Sequence, residues 1–190
     1  MTTQNQPAAV ALSRWVFDPF HTQVAFAARY LGMTTVRGNF PELSATGYID
    51  PDAPAASSAQ VTIQAASLTT HNPERDIGLR SSQFLEVDRH PTITFTSTGI
   101  AQTGRDRYTL TGDLTIKGIT RPVTFAVVKY GEFTDPKLGH RLGYSAQTRI
   151  NRQDFGLTFT MLPGATWLVS DEVELLIEGE FVEQGPGQQA

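Results

Sequence analysis

The sequence predicts an all-β protein, an eight-stranded antiparallel barrel with one short helix. Two segments, 108–117 and 173–181, alternate clearly between apolar or small residues and polar ones. This alternation gives a strand one buried face and one solvated face, which is typical of an antiparallel sheet. Weaker alternation predicts six more strands, at 23–30, 34–49, 59–68, 92–101, 120–130 and 141–151.

One stretch departs from this pattern and predicts the helix, over about residues 73–82. Asn72 is a favourable helix cap, and Pro73 suits the first helical position. Ile77 and Phe84 share a face at helical spacing, with Leu79 nearby.

The strand count favours closure of the sheet. The segment Lys117-Gly118-Ile119-Thr120 predicts a tight hairpin between two of the strands. Eight strands and a single helix leave few ways to cover the edges of a sheet, and closure into a barrel removes those edges. A β-sandwich is the alternative architecture.

Length and charge indicate one domain without a nucleic-acid partner. The 190 residues fit one domain, predicted at 14–183, between a flexible N-terminal tail at 1–13 and a flexible C-terminal tail at 184–190. The formal charge is −4 and no basic stripe is present, which argues against binding to nucleic acid.

Several kinds of chemistry have no support in the sequence. The chain has no cysteine, which excludes disulfides, thiolate metal sites and a cysteine nucleophile. The four histidines, His21, His71, His90 and His140, are not at metal-ligand spacing. We find no nucleophile elbow, phosphate-binding loop or dinucleotide fingerprint. We therefore expect no cofactor, no metal and no enzymatic activity.

The N-terminal segment bears on localisation. It lacks the positive region and the long apolar core of a secretory signal, so we expect a soluble cytoplasmic protein. A leader removed before this sequence begins would make it periplasmic. No apolar run approaches the roughly 20 residues that span a bilayer, so no stable membrane insertion is expected.

Small residues suggest that the barrel is hollow. Glycine inside a strand weakens it unless it marks a bulge or a close approach, so glycines on buried faces favour unfilled interior space. The alternative is a filled barrel in which the glycines mark corners. The small residues in the inward phase are Ala28, Gly38, Ala65, Gly99, Gly112, Ala146 and Gly179, flanked by Phe26, Tyr30, Phe40, Phe95 and Tyr108.

Seven short motifs occur in order between about Trp15 and Val182. They are Trp15-Val16-Phe17-Asp18-Pro19-Phe20-His21-Thr22 followed by Phe26, Val36-Arg37-Gly38-Asn39-Phe40, Ser67 and Thr69 before Arg75-Asp76-x-x-Leu79-x-Ser81-x-x-Phe84, Pro91-x-Ile93-x-Phe95-x-Ser97, the run from Gly112 to Val123, Arg152-Gln153-Asp154-Phe155-Gly156-Leu157, and Asp171-x-Val173. Together these motifs resemble the YceI-like family of bacterial lipocalin-like, polyisoprenoid-binding proteins. The sequence departs from the family pattern at Tyr30, where a histidine is common, and at Thr22, where a serine is common.

The resemblance implies an antiparallel lipocalin-like barrel that holds a long apolar chain, such as a polyisoprenoid, a quinone-like molecule or a fatty-acyl derivative. We predict binding, transport or sequestration of such a ligand, and a homodimer remains open because no sequence feature requires one. The predicted ligand contacts are Phe26, Tyr30, Phe40, Leu114, Tyr144 and Phe159, with His21, Arg75 and Arg152 as polar contacts.

Each polar contact also has a structural interpretation. His21 could tie the first loop to a backbone carbonyl instead of a head group. Either of the adjacent residues Arg75 and Asp76 could anchor the helix while the other faces the opening. Arg152 and Asp154 are two apart on a predicted strand and share its inward face, where a salt-bridged plug at the barrel end is the favoured account.

Two other functions are compatible with the sequence. One is a lipid-modifying enzyme that uses His21 with Asp76 or Asp154 as acid–base groups. The other is a solid barrel whose exposed apolar rim docks a partner protein.

Overall fold

The computed structural model describes residues 13–50, 53–159 and 169–184. Within these ranges the chain forms an antiparallel sheet and one α-helix, α1 (Pro73–Arg80), together with short 3-10 turns. The strands are β1 (Ser13–Phe17), β2 (Gln23–Tyr30), β3 (Thr34–Asn39), β4 (Leu43–Ile49), β5 (Ser58–Gln64), β6 (Thr92–Gly104), β7 (Arg107–Ile116), β8 (Ile119–Asp135), β9 (Gly139–Asn151) and β10 (Val169–Gln184).

These strand segments occupy eight positions around a closed barrel. Both β1 and β2 pair with β10, so they are two halves of one position, interrupted by residues 18–22. In the same way, β4 pairs with β1 and β3 pairs with β2. The pairing of β1 with β10 closes the sheet, with Phe17 opposite Phe181. The predicted eight-stranded barrel is confirmed, and the sandwich alternative is wrong.

The hairpin between β7 and β8 forms as predicted. Ile116 pairs with Ile119, and the two turn residues Lys117 and Gly118 have φ values of 50° and 73°. Positive φ at both positions is typical of a type I′ turn, whose twist matches that of the flanking strands.

The two ends of the barrel carry different elements. The helix end holds α1, the β2–β3 turn at 31–33 and the 3-10 turn Arg152–Phe155. The opposite end holds the β8–β9 turn at 136–138, the start of β1 and the end of β10. We call it the hairpin end after the β8–β9 hairpin, since the β7–β8 hairpin lies at the helix end. The register requires this arrangement, because Glu172 pairs with Asn151 while Val182 pairs with Arg141.

The helix is shorter than predicted, and its apolar face differs. Asn72 caps it by accepting a hydrogen bond from the Arg75 backbone N–H at 3.0 Å, as the sequence indicates. The helix ends at Arg80, so Phe84 lies beyond it and packs against the core. Ile77 is exposed. The predicted common face of Ile77 and Phe84 is therefore wrong.

The predicted tails at 1–13 and 184–190 lie mostly outside the described residues. Ser13 and Gln184, the innermost residue of each predicted tail, belong to strands. Within the described ranges, neither the length nor the apolar character of any helix suffices for a membrane span.

Candidate functional site

The interior of the barrel contains a cavity of about 1040 Å³. This volume lies at the upper end of the roughly 300–1000 Å³ that small-molecule sites occupy. Its middle is walled by apolar side chains that belong to the core, among them Phe40, Phe95, Leu114, Phe125 and Ile150. The described barrel is therefore hollow, and the filled-barrel alternative does not fit it.

The six predicted apolar contacts all lie in the cavity wall. They come from strands β2, β7 and β9 and from the connections after β3 and β9. One aromatic pair belongs to this set, with the ring centroids of Phe26 and Phe40 5.7 Å apart. The wall contains Phe26, Tyr30, Phe40, Leu114, Tyr144 and Phe159.

Two of the inward glycines act differently from the prediction. A Cβ at Gly38 would collide with the Phe26 ring, and a Cβ at Gly112 would collide with the Phe95 ring. Each glycine therefore lets an aromatic ring lie against the sheet, and the space beside it is filled. The cavity lies on the other side of these rings, so the reasoning from these glycines to empty space is wrong although the cavity exists.

Arg75 and Asp76, adjacent at the helix end, have different surroundings. Asp76 is buried and accepts hydrogen bonds from Thr70 N at 2.9 Å, Thr70 Oγ1 at 2.5 Å and Thr69 Oγ1 at 3.2 Å. Arg75 lies in the cavity wall and donates through Nε to Thr70 Oγ1 at 2.7 Å and through Nη2 to the Thr70 carbonyl at 3.0 Å. Asp76 thus anchors α1. Asn72, Glu74 and Arg75 line the cavity and are also exposed, so the cavity opens here, at what we call its mouth.

The pKa of Asp76 reflects this anchoring. Burial would raise the pKa of the carboxyl, but the hydrogen bonds from Thr70 and Thr69 and the charge of Arg80 outweigh it, so the pKa is lowered. The carboxylate form is therefore the one that holds the helix.

Arg152 is a buried brace at the helix end. It lies in the 3-10 turn Arg152–Phe155, not on a strand, and donates to the carbonyls of Leu157 and Ser170. Its Nη2 also lies 2.9 Å from Asp171 Oδ1. Asp154 is exposed on the same turn. The prediction that Arg152 and Asp154 share an inward strand face is wrong, because the strand ends at Asn151.

His21 lies outside the cavity wall. It is exposed, and its Nδ1 is 3.0 Å from Asp18 Oδ2. Asp18, His21 and Glu180 offer ligand atoms within 4.8 Å of one another. However, Arg141 Nη1 lies 2.6 Å from Asp18 and 2.8 Å from Glu180, so a guanidinium already provides the positive charge there.

The hairpin end contains a polar group of cavity residues that the sequence did not single out. His140 Nε2 lies 2.8 Å from Glu132 Oε1, and His140 Nδ1 lies 2.8 Å from Glu183 Oε2. Lys129 Nζ lies 2.6 Å from Glu132 Oε2. The ring of Trp15 meets the His140 ring edge-on, with centroids 5.0 Å apart.

Two pKa shifts follow from the surroundings of this group. Burial lowers the pKa of His140, but hydrogen bonds with Glu183 and Glu132 outweigh it, so the net pKa is raised. Burial raises the pKa of the Tyr144 hydroxyl to about 12. The cavity therefore has an apolar middle, a neutral phenol and charged residues towards both ends.

The acid–base groups of the enzymatic alternative have separate partners in the structure. His21 contacts Asp18, Asp76 is held by Thr69 and Thr70, and Asp154 is exposed on its turn. None of the three lies in the wall of the cavity described above.

Comparison with known proteins gives one family. A model of the YceI-like domain matches residues 15–181. A UPF0312 protein of Azotobacter vinelandii is 37% identical over 164 residues, which are 86% of this chain and 83% of that protein.

Solved structures agree with this match. The crystal structure of Burkholderia cenocepacia BcnA has a TM-score of 0.78 and 26% identity, covering 86% of this chain and 98% of that one. A polyisoprenoid binding domain from Saccharophagus degradans, described as implicated in plant cell wall breakdown, has a TM-score of 0.62. It covers 92% of this chain and 100% of that one at 13% identity, a likeness of fold alone.

Proposed function

This chain belongs to the family of the YceI-like domain, and from that premise we propose that it binds one long apolar or amphiphilic molecule inside its barrel. A polyisoprenoid, a quinone-like isoprenoid or a fatty-acyl chain is the ligand class. The role is transport or sequestration without catalysis. The observation that carries the proposal is the apolar cavity of about 1040 Å³.

The energetics support a ligand of this kind. Each isoprene unit moved from water into the cavity contributes on the order of 3–4 kcal/mol by methylene counting. Ordering a flexible chain removes a substantial part of this gain. Three or four units are nevertheless enough for an affinity of about micromolar or tighter. The length of the ligand, more than its head group, is expected to set the affinity.

The polar end of the ligand is assigned to Arg75. Its guanidinium lies in the cavity wall at the helix end and keeps donor capacity beyond the two hydrogen bonds to Thr70. Arg152 is surrounded by carbonyls and Asp171, so we assign it to the wall as a brace. His21 is left out of the proposed site because it is exposed beside Asp18.

The name of the Saccharophagus degradans domain suggests a first probe, since that protein is described as polyisoprenoid binding. The purified protein is extracted with organic solvent, the extract is analysed by mass spectrometry, and the intact protein is studied by native mass spectrometry with added prenyl alcohols. One long-chain molecule per chain supports the proposal. A protein that carries nothing and takes up neither prenyl nor acyl probes contradicts it.

A pair of substitutions tests the position of the ligand. Ala146→Phe on β9 adds a ring inside the cavity wall, whereas Ala126→Phe on β8 adds the same ring on the exposed face. Thermal unfolding establishes that both variants fold. Probe affinity is expected to fall about tenfold or more only in Ala146→Phe, since the ring displaces several methylenes. Equal affinity in both variants contradicts binding inside the barrel.

A further inference from the structure

The helix end of the barrel carries exposed apolar side chains beside the mouth of the cavity. Leu31 and Met33, in the β2–β3 turn, are 44% and 71% exposed, and Ile77, on α1, is 68% exposed. Tyr30, Asn72, Glu74 and Arg75, from the same two segments, lie in the cavity wall. We call Tyr30, Leu31, Met33 and Ile77 the apolar rim.

Leu31 occupies a backbone conformation that does not suit it. Its φ is 51° and that of Gly32 is 68°, and Met33 N donates to the Tyr30 carbonyl at 3.0 Å, which closes a tight turn. Glycine, asparagine and aspartate adopt positive φ readily, whereas a leucine there is strained. Among the described residues, the other non-glycine residues with positive φ are polar, namely His71, Glu86, Asp106 and Lys117.

A strained, exposed leucine is unfavourable for the isolated fold in two ways. It loses conformational energy in the turn, and its side chain contributes little burial. The turn would be more stable with asparagine. A leucine at this position is explained if its side chain is buried against something outside the molecule.

The charges around the apolar rim indicate which kind of surface buries Leu31. Arg29 and Arg37 are exposed on β2 and β3, and the register makes them diagonal neighbours, because Ala27 pairs with Arg37. Arg75 is exposed on α1. Among the described residues, no carboxylate forms an ion pair with any of these three arginines. Glu74 adjoins Arg75 on α1, and Glu174, in the same register row as Arg37, pairs with Arg149 instead.

We infer that the apolar rim and its arginines dock the helix end onto the surface of an anionic lipid bilayer, where the ligand enters or leaves the cavity. Apolar side chains at a protruding turn insert into the headgroup region, and nearby cations hold the protein against anionic lipids. The inference rests on the proposed function for what passes through the mouth, but not for the docking itself.

Vesicle flotation tests the inference. The full chain is mixed with vesicles of phosphatidylglycerol and phosphatidylcholine, and with vesicles of phosphatidylcholine alone. We expect binding to the anionic vesicles that weakens as salt is added, because the arginine contribution is screened. Failure of the wild-type chain to bind the anionic vesicles overturns the inference.

Variants identify the rim. Leu31→Asn and Met33→Ser together are expected to reduce vesicle binding about tenfold or more, since two apolar side chains no longer insert. The matched control is Tyr130→Ser with Phe133→Ser, which removes side chains of similar exposure, 69% and 54%, at the hairpin end. Wild-type binding in the rim variant, or an equal loss in the control, overturns the inference.

Two further measurements exclude trivial explanations. Leu31→Asn alone is expected to raise the midpoint of thermal unfolding while it reduces vesicle binding, which a variant that only damages the fold cannot do. Uptake of a short prenyl alcohol from solution is expected to be the same in all variants. If no variant and no wild-type chain takes up this probe, the proposed function fails, and vesicle flotation still decides the docking.

Discussion

Arg141 and Asp18 form an ion pair between distant segments of the barrel wall, with Nη1 2.6 Å from Oδ2. The two residues are 123 positions apart in the chain. Asp18 lies in the corner between β1 and β2, and Arg141 lies near the start of β9. The same guanidinium nitrogen also contacts Glu180 on β10 at 2.8 Å. One arginine therefore ties the interrupted strand position to β10, which pairs with it, and to β9, the next strand around the barrel.

Asp18→Asn is expected to destabilise the fold. The hydrogen bond with Arg141 lowers the pKa of Asp18 from 3.8 to about 2, against the opposing effect of burial. A shift of this size corresponds to about 2 kcal/mol of stability. Because the folded pKa is lowered, this contribution is present in full above pH 3.8 and is lost as the pH falls towards 2.

Urea unfolding at several pH values measures this contribution. The difference between wild type and Asp18→Asn should be largest near neutrality and should shrink in acid. Asp113→Asn, on the exposed face of β7, is the control and should have little effect at any pH. A difference that stays constant down to about pH 2 would contradict the assignment.

Asp76→Asn is expected to loosen α1. The two carboxylate oxygens of Asp76 accept from Thr70 N, Thr70 Oγ1 and Thr69 Oγ1 at a buried position. The substitution removes the charge and replaces one of these oxygens by an NH2 group, which cannot accept. We expect a loss of about 3 kcal/mol in the free energy of unfolding. Faster amide exchange throughout α1 should accompany it. Glu74→Gln, exposed on the same helix, should change neither quantity appreciably.

His140→Gln should reduce stability in a manner that depends on pH. The pKa of His140 is raised by Glu183 and Glu132 in spite of its burial, so its contribution is present in full below 6.5 and declines as the pH rises through the folded pKa. The pKa values of Glu132 and Glu183 are lowered from 4.5 in the folded protein. The ion pairs of His140 with these two carboxylates therefore weaken again as the pH falls through the folded pKa values of Glu132 and Glu183.

Thermal unfolding is the measurement for His140. The melting temperature of His140→Gln should lie below that of wild type at about pH 6 and approach it at about pH 9. His90→Gln, a half-buried histidine without a described carboxylate partner, should show no such convergence. Parallel pH profiles for wild type and His140→Gln would show that the imidazolium does not contribute.

Arg152→Lys separates a brace from a head-group contact. Lysine cannot make the forked set of contacts to Leu157, Ser170 and Asp171, so we expect a loss of about 3 kcal/mol in stability. Probe affinity measured well below the melting temperature should stay the same. Arg149→Lys, exposed beside Glu172 and Glu174, should cost almost nothing. Lost probe affinity in a folded Arg152→Lys would assign Arg152 to the ligand.

Arg75→Gln should alter the preference for head groups. A carboxylate at the mouth gains a charge-assisted hydrogen bond from the guanidinium, whereas an alcohol gains less. The affinity for a fatty acid should fall about three- to tenfold relative to the alcohol of the same length. Competition between the two probes measures the ratio. Arg89→Gln, an exposed arginine paired with Glu86, should leave the ratio unchanged.

The strands could be predicted because each buries one face. Alternation located all eight strand positions, and Asn72 with Pro73 located the start of α1. Alternation failed where the register shifts. A bulge between Lys129 and Gly131 interrupts the pattern of β8, which runs on to Asp135, beyond the predicted end at 130.

Because alternation did not predict the last part of β8, it did not predict the polar group at the hairpin end either. Glu132 and His140 lie outside the strands that alternation predicts, although Thr134 pairs with His140 in the extended β8–β9 hairpin. Arg152 was misassigned for a different reason, since a 3-10 turn and a strand end look alike in a short polar segment. Contacts between distant segments, such as Arg141 with Asp18, leave no local pattern to detect.

The end position of β3 in the strand order affects how the wall can move. Beyond β3, the described chain offers no strand partner, only one bridge in which Asn39 and Thr69 exchange two backbone hydrogen bonds of 2.9 Å. Elsewhere in the described barrel, neighbouring strands are joined by longer runs of antiparallel backbone pairs. Local separation along this edge of β3 therefore breaks fewer backbone hydrogen bonds than separation of two paired strands.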